Sequence, residues 1–207
     1  TIKTYDHQNK LLKEDHFKEG NGILSSYHLN GNTKTKGAVI ANEYCDSLIE
    51  YDFNSIILST HHLISGMYEG MFEQKNPIFQ KAIFKGNTIL NQLNGTVTGI
   101  SRLGIYNFEE NYEFGSLEGD LKYFYNNKLT TSHTYINNTR NGVSHFYAPD
   151  GKTLMYSLKY SDGDIIAISY MDKNKKMTKW IPVTKDTMNI VAYYPDQKKA
   201  IEFCLKN

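Results

Sequence analysis

One short phrase recurs along this chain, and it constrains the architecture more than any single residue does. Tyr27-His-Leu-Asn-Gly31, Tyr51-Asp-Phe-Asn54, Tyr147-Ala-Pro-Asp-Gly151, Tyr170-Met-Asp-Lys-Asn174 and Tyr194-Pro-Asp-Gln197 each place an aromatic residue just before a turn-forming cluster. The anchors step by 24 from Tyr27 to Tyr51, by 23 from Tyr147 to Tyr170 and by 24 from Tyr170 to Tyr194. Tyr5 adds an earlier step of 22, and Phe124, which opens Phe-Tyr-Asn-Asn-Lys128, stands 23 before Tyr147. A fixed period of this length signals a stack of small modules, each too small to bury a core alone and each stabilised by its neighbours.

The clearest module reads as a β-hairpin. Val143 to Tyr147 is a predicted strand, Ala-Pro-Asp-Gly-Lys a turn, and Thr153 to Tyr160 the return strand, where Leu154, Tyr156, Leu158 and Tyr160 alternate with more polar neighbours. In the turn, Pro149 presets a dihedral, Asp150 can cap local N–H groups and Gly151 can take a positive φ. Ser161 to Asp164 then turns the chain into a strand over Ile165 to Tyr170. Three glycine pairs, Gly22 with Gly31, Gly86 with Gly95 and Gly142 with Gly151, are nine apart and suggest the same register, with Asn91 at the aromatic position of the middle copy. The expectation is an all-β chain: an elongated twisted antiparallel sheet of successive hairpins with little or no helix. Residues 1–207 form one array of about eight or nine units of 22–24 residues. Residues 55–85 are its irregular part, with β-branched Ser55 to Gly66 favouring strands and Phe79 to Lys85 able to form a single helical turn.

At this point the residues resemble the MORN-like repeat variant found in bacteria. Gly142-Val-Ser-His-Phe-Tyr147-Ala-Pro-Asp-Gly-Lys152 follows that pattern almost position by position, and Tyr193-Tyr194-Pro-Asp-Gln-Lys-Lys199 follows it with Gln197 in place of Gly. Tyr112-Glu-Phe-Gly115-Ser-Leu-Glu-Gly119 and Tyr135 to Gly142 look like its connecting phrase. The resemblance covers residues 1–54 and 112–207. It implies a hairpin array without its own catalytic centre, acting as a protein scaffold, an antitoxin-like partner that neutralises a toxin, or a membrane-associated protein.

Composition narrows the function classes. The 23 basic and 22 acidic residues nearly cancel, which argues against a nucleic-acid partner, since such proteins usually carry a basic stripe. No apolar run approaches the roughly 18 residues that span a bilayer as a helix. A membrane surface could be contacted by Lys173, Lys175, Lys176 and Lys179, and the acidic stretch from Glu109 to Asp120 reads as solvated turns and edges. The first residue is Thr1, so the chain is either processed or trimmed, and the expectation is an exported bacterial protein, periplasmic or at the cell surface. Cys45 and Cys204 stand about seven modules apart, on the order of 65 Å at roughly 4.8 Å per strand. A disulfide needs Cα atoms within about 7 Å, so no bridge is expected.

Side chains with chemical potential are few. His61 and His62 are adjacent, and on a strand their rings face opposite ways, so they cannot close on one metal. His133 and His145 sit on neighbouring predicted strands and could approach across the sheet. Ser55, Ser59 and Ser65 lack the glycine pattern of a nucleophile elbow. Asp162-Gly-Asp164 and Asp172-Lys-Asn174 fall where the repeat requires turns and lack the carboxylates of a calcium loop. Asn94-Gly-Thr96 and Asn137-Asn-Thr139 read as turn residues rather than glycosylation sites. No catalytic residue, cofactor or metal site is expected. The expected function is a non-catalytic scaffold that binds a protein or other ligand, with tyrosines supplying contact area at low rotamer cost. Candidate binding residues are His61, His62, Tyr147, Tyr170 and Tyr194.

Overall fold

A computed structural model describes residues 1–77, 82–101, 104–183 and 188–205. Among them every regular element is a β-strand, and every pairing is antiparallel. The chain divides into two compact units, residues 1–99 and 100–207.

In the first unit, β1 (Ile2–Tyr5) and β2 (Leu11–Asp15) form a two-stranded hairpin. Seven further strands pair strictly in chain order: β3 (Gly22–Tyr27), β4 (Thr33–Ile40), β5 (Glu43–Tyr51), β6 (Ile57–Ile64), β7 (Met67–Lys75), β8 (Ala82–Ile89) and β9 (Gln92–Ile100). Residues 57–64 and 67–75, inside the segment expected to be irregular, belong to β6 and β7 and pair in the same manner as their neighbours. The helical turn expected over 79–85 falls partly outside the described residues. Its described part, 82–85, is strand instead, because Lys75 to Gln74 and Glu73 present a ladder that Ala82, Phe84 and Lys85 complete.

In the second unit the main strands are β10 (Tyr106–Glu113), β12 (Gly119–Tyr125), β13 (Lys128–Ile136), β15 (Gly142–Tyr147), β16 (Leu154–Ser161), β17 (Asp164–Tyr170) and β18 (Ile181–Pro182). Two-residue strands β11 (Ser116–Leu117) and β14 (Thr139–Arg140) pair beside β10 and β13. A separate hairpin, β19 (Met188–Tyr193) with β20 (Lys199–Leu205), packs on the sheet. Its Ile190, only 3% exposed, joins buried Leu158, Tyr160 and Ile168 in one cluster, with Phe146, Tyr156, Ile165, Tyr170 and Ile181 around it. The Tyr193 N–H also donates to the Met171 carbonyl at 3.2 Å.

Two kinds of turn generate the period. At one kind, an N–H and a carbonyl close a five- or six-residue loop: Asp6 to Lys10, His28 to Asn32, Asp52 to Ile56, Ala148 to Thr153, Asp172 to Lys176 and Tyr194 to Lys198, all at 2.8–2.9 Å. The residue with positive φ in these loops is Asn9, Gly31, Ser55, Gly151, Lys175 or Gln197, stepping by 22 and 24 and then by 24 and 22. Aspartates hold the loops closed, as expected of Asp150, whose carboxylate accepts the N–H groups of Lys152 and Thr153 at 2.9 Å and the Thr153 hydroxyl. These bonds favour the charged form and draw the Asp150 carboxyl down to about 2. Asp172 likewise caps Asn174 and Lys176, so Asp172 to Asn174 is a turn.

The opposite turns have two central residues, both with positive φ: Ala41-Asn42, Ser65-Gly66, Leu90-Asn91, Phe114-Gly115, Asn137-Asn138 and Asp162-Gly163. This conformation matches the twist of the flanking strands. Most of these turns also reach back one module, where the second residue's N–H donates to a carbonyl: Asn42 to Gly20, Gly66 to Tyr44, Asn91 to Tyr68, Asn138 to Leu117 and Gly163 to Arg140, at 2.7–3.0 Å. The nine-residue glycine spacing therefore mixes two situations. Gly31 and Gly151 are loop residues, whereas Gly86 and Gly95 lie within β8 and β9, and Asn91 occupies a turn rather than an aromatic strand position. Gly86 is needed for packing, since a Cβ there would stand 2.8 Å from a Val97 methyl.

Candidate functional site

Cross-strand register in the second unit sets aromatic residues opposite one another. Phe108 pairs with Tyr123, Tyr123 with Thr131, Thr131 with Phe146, Phe146 with Tyr156 and Tyr156 with Tyr170. Because side chains directly opposite share a face, these residues form one row running across the strands. Phe146 and Tyr156 stack with ring centroids 4.3 Å apart. One row over, Tyr106 pairs with Tyr125, their rings 5.7 Å apart and tilted by 50°.

Toward β17 this row runs under the β19–β20 hairpin, and Tyr170 packs against the buried cluster there. Toward β10 the rows stay open. Between them lies a solvent-open trough of about 710 Å³, lined by Tyr106, Tyr123, Tyr125, Phe146, Tyr147 and Tyr156 from the sheet and by Tyr194, Ala200 and Ile201 from the hairpin. Thr130, Thr131, Ala148, Pro149 and Met155 also line it, and among the described residues the lining contains no Asp, Glu, Lys, Arg or His. Tyr106 and Tyr125 are 44% and 47% exposed, so large aromatic area is available to a ligand. Burial raises the hydroxyl pKa of Tyr123 and of Tyr156, keeping both protonated and able to donate at neutral pH.

Of the expected binding residues, Tyr147 and Tyr194 line the trough together. Tyr170 belongs to the aromatic row but is taken up by the core. His61 and His62 are in the other unit, on β6, and their rings meet different neighbours. His61 lies against the rings of Tyr68 (4.9 Å) and Phe72 (6.2 Å), and burial lowers its pKa. His62 donates its Nδ1–H to the Glu69 carbonyl at 2.6 Å and stands 3.8 Å from the Asp46 carboxylate. Both histidines are thus occupied by ordinary neighbours. A smaller hollow of about 470 Å³ in that unit has charged and hydroxyl side chains in its lining, with Thr60, Glu73, Lys85 and Thr98 opposite one another on β6 to β9.

His133 and His145 do not meet. Ser132 is the residue opposite His145, which leaves His133 opposite Ser144 and turns the two imidazoles to opposite sides of the sheet. Each instead pairs with a serine: His133 Nδ1 with Ser144 Oγ at 2.9 Å, and His145 Nδ1 with Ser157 Oγ at 2.8 Å. His133 is 6% exposed, and burial, aided by the Arg140 charge, lowers its pKa from 6.5 to about 4.

The residues that sequence reasoning missed are Tyr106, Tyr123, Tyr125, Phe146 and Tyr156. The usable signal was the period of two in Tyr106-x-Phe108 and Tyr123-x-Tyr125, which points alternate aromatics to one face. No protein-family model matches the chain, and no curated protein matches it either.

Proposed function

We propose that this chain is a non-catalytic binding protein, a hairpin-repeat scaffold of the MORN-like kind whose contact surface is the tyrosine-lined trough of its second unit. The observation that carries this reading is the lining itself: seven aromatic side chains converge on one open hollow, with no charged group among its described lining residues. Concave, mostly apolar sites with a few hydroxyls are typical of ligand recognition. Among the described residues the same lining supplies no carboxylate, imidazole or thiol to serve as general acid, base or nucleophile. The repeat reading is supported by turns whose positive-φ residues recur every 22 to 25 positions and by the bonds that tie most of the two-residue turns to the preceding module.

The test is a fragment screen read by amide and tyrosine-ring NMR shifts on the full chain. Hits of varied chemistry converging on Tyr106, Tyr125, Tyr147 and Tyr194 are expected. Hits scattered over the surface, or gathered at the smaller hollow of the first unit, would contradict the proposal.

A further inference from the structure

We propose that the trough takes an uncharged oligosaccharide, a segment of a neutral polysaccharide laid across strands β12 to β16. This rests on the trough being a binding surface and adds the chemical class of what binds there.

Three observations converge on that class. First, charge: among the described residues none of the lining side chains carries a formal charge at neutral pH, so an anionic headgroup, a polyuronate or a basic peptide would lose hydration with no counter-charge from them in return. Second, polarity is distributed as a sugar requires. The rings of Tyr106, Tyr125, Tyr147 and Tyr194 offer apolar surface, and each ends in a hydroxyl that can donate and accept. A pyranose has the complementary arrangement, with C–H groups on its faces and hydroxyls around its rim. Third, the spacing: Tyr123, Thr131, Phe146 and Tyr156 stand opposite one another on four neighbouring strands. Adjacent strands are about 4.8 Å apart, close to the length of one hexose unit in an extended chain. A linear glycan crossing the strands would therefore meet a new side chain at each sugar.

A protein segment fits less well. β12, β13, β15 and β16 each have a hydrogen-bonded neighbour on both sides, so the trough floor is a sheet face and not an edge. An extended peptide lying on it would find no ladder for its own N–H and C=O groups, and backbone groups buried without partners are costly.

The experiment titrates the full chain with uncharged hexasaccharides of glucose, mannose and N-acetylglucosamine, observed by calorimetry and by tyrosine-ring NMR shifts. Parallel arms use a hexauronate, vesicles containing phosphatidylglycerol, and an apolar hexapeptide. At least one uncharged hexasaccharide should bind saturably at the trough, while the three other arms leave its resonances unmoved. Tyr106→Ala and Tyr125→Ala, both at exposed positions, should each weaken binding about tenfold. Tyr125→Phe should weaken it less, and Ile64→Ala in the other unit should not alter it. Because a misfolded variant would also lose binding, the variants count only with wild-type strand resonances, and Tyr125→Phe provides the conservative comparison. Binding of the hexauronate, vesicles or peptide at the trough without any neutral sugar would overturn the glycan assignment and leave the trough as a binding surface. Sugar binding indifferent to Tyr106→Ala and Tyr125→Ala would overturn the assignment of the site. Silence of the trough toward every probe and every fragment would overturn both.

Discussion

The hydrogen bond between His133 and Ser144 is buried on both sides, and its consequence is a pH dependence. In the unfolded chain the imidazole takes up a proton as pH falls through about 6.5, whereas in the folded chain it resists protonation until about 4. Between those values the unfolded state binds the extra proton, so stability falls as pH is lowered and levels off below 4. A difference of this size is worth on the order of 3 kcal/mol. Urea unfolding at a series of pH values should show this loss in the wild type and a clearly shallower slope in His133→Gln. Equal slopes would show that His133 is not the titrating group. Glycines differ just as specifically. At Gly151, φ is +74° and a Cβ would stand 2.7 Å from Lys128 Cβ, so Gly151→Ala should cost more than about 1 kcal/mol. At Gly163 the nearest atom to such a Cβ is a Thr139 methyl at 3.6 Å, and asparagine already fills the equivalent place at Asn42, Asn91 and Asn138. Gly163→Asn should therefore stay within about 0.5 kcal/mol of wild type in thermal melts.

Among the elements, the two-residue turns do more than reverse the chain. Asn138 takes a positive φ, donates its N–H to the Leu117 carbonyl at 3.0 Å and accepts the Leu117 N–H on its side chain at 2.8 Å. Asn91 does the same with Tyr68. Each asparagine thus acts as a short rung between successive modules. Asn138→Gly keeps the backbone conformation and loses the acceptor, which should cost about 1 kcal/mol. Asn138→Ala loses both and should cost more. An alanine variant as stable as the glycine variant, by denaturant midpoint, would contradict the rung. These turns were poorly legible in the sequence. Ala41, Ser65, Leu90 and Phe114 carry no turn signature, and the turns at Ala41, Ser65 and Leu90 are held by bonds to a module some 20 residues away. The opposite loops were legible because Asp150, Asp172 and Gly151 act on their own neighbours, where a local pattern can be read. The chance glycine spacing at Gly86 and Gly95 misled for the same reason: one of these glycines answers to Val97 and Phe72 across the sheet, not to a turn.

At the scale of the molecule, the candidate site exists because hairpins succeed one another in register and a terminal hairpin folds onto them. Tyr147 and Tyr194 were readable as members of the repeated phrase, but Tyr106, Tyr123, Tyr125 and Tyr156 are brought to them by strand pairing, which a single sequence does not print. Tyr170 shares the phrase and yet is absorbed into the core, because the β19–β20 hairpin covers that end of the row. Ile190 anchors this hairpin. Ile190→Ala should lower the stability of the second unit by about 2–5 kcal/mol, followed by the fluorescence of the single tryptophan, Trp180, which lies in that unit. The same change should loosen Tyr194 at the trough.

The face on which these aromatics gather depends on register alone, since a slip of one residue would turn every side chain of a strand over. Solution NMR of the full chain measures that register through cross-strand contacts between backbone and ring protons. The account predicts contacts of Tyr123 with Thr131, Thr131 with Phe146 and Phe146 with Tyr156, together with Ile190 against Leu158 and Ile168. Contacts of Phe146 with Ser157 in place of Tyr156, or Ile190 remote from Leu158, would dismantle the trough and contradict the account.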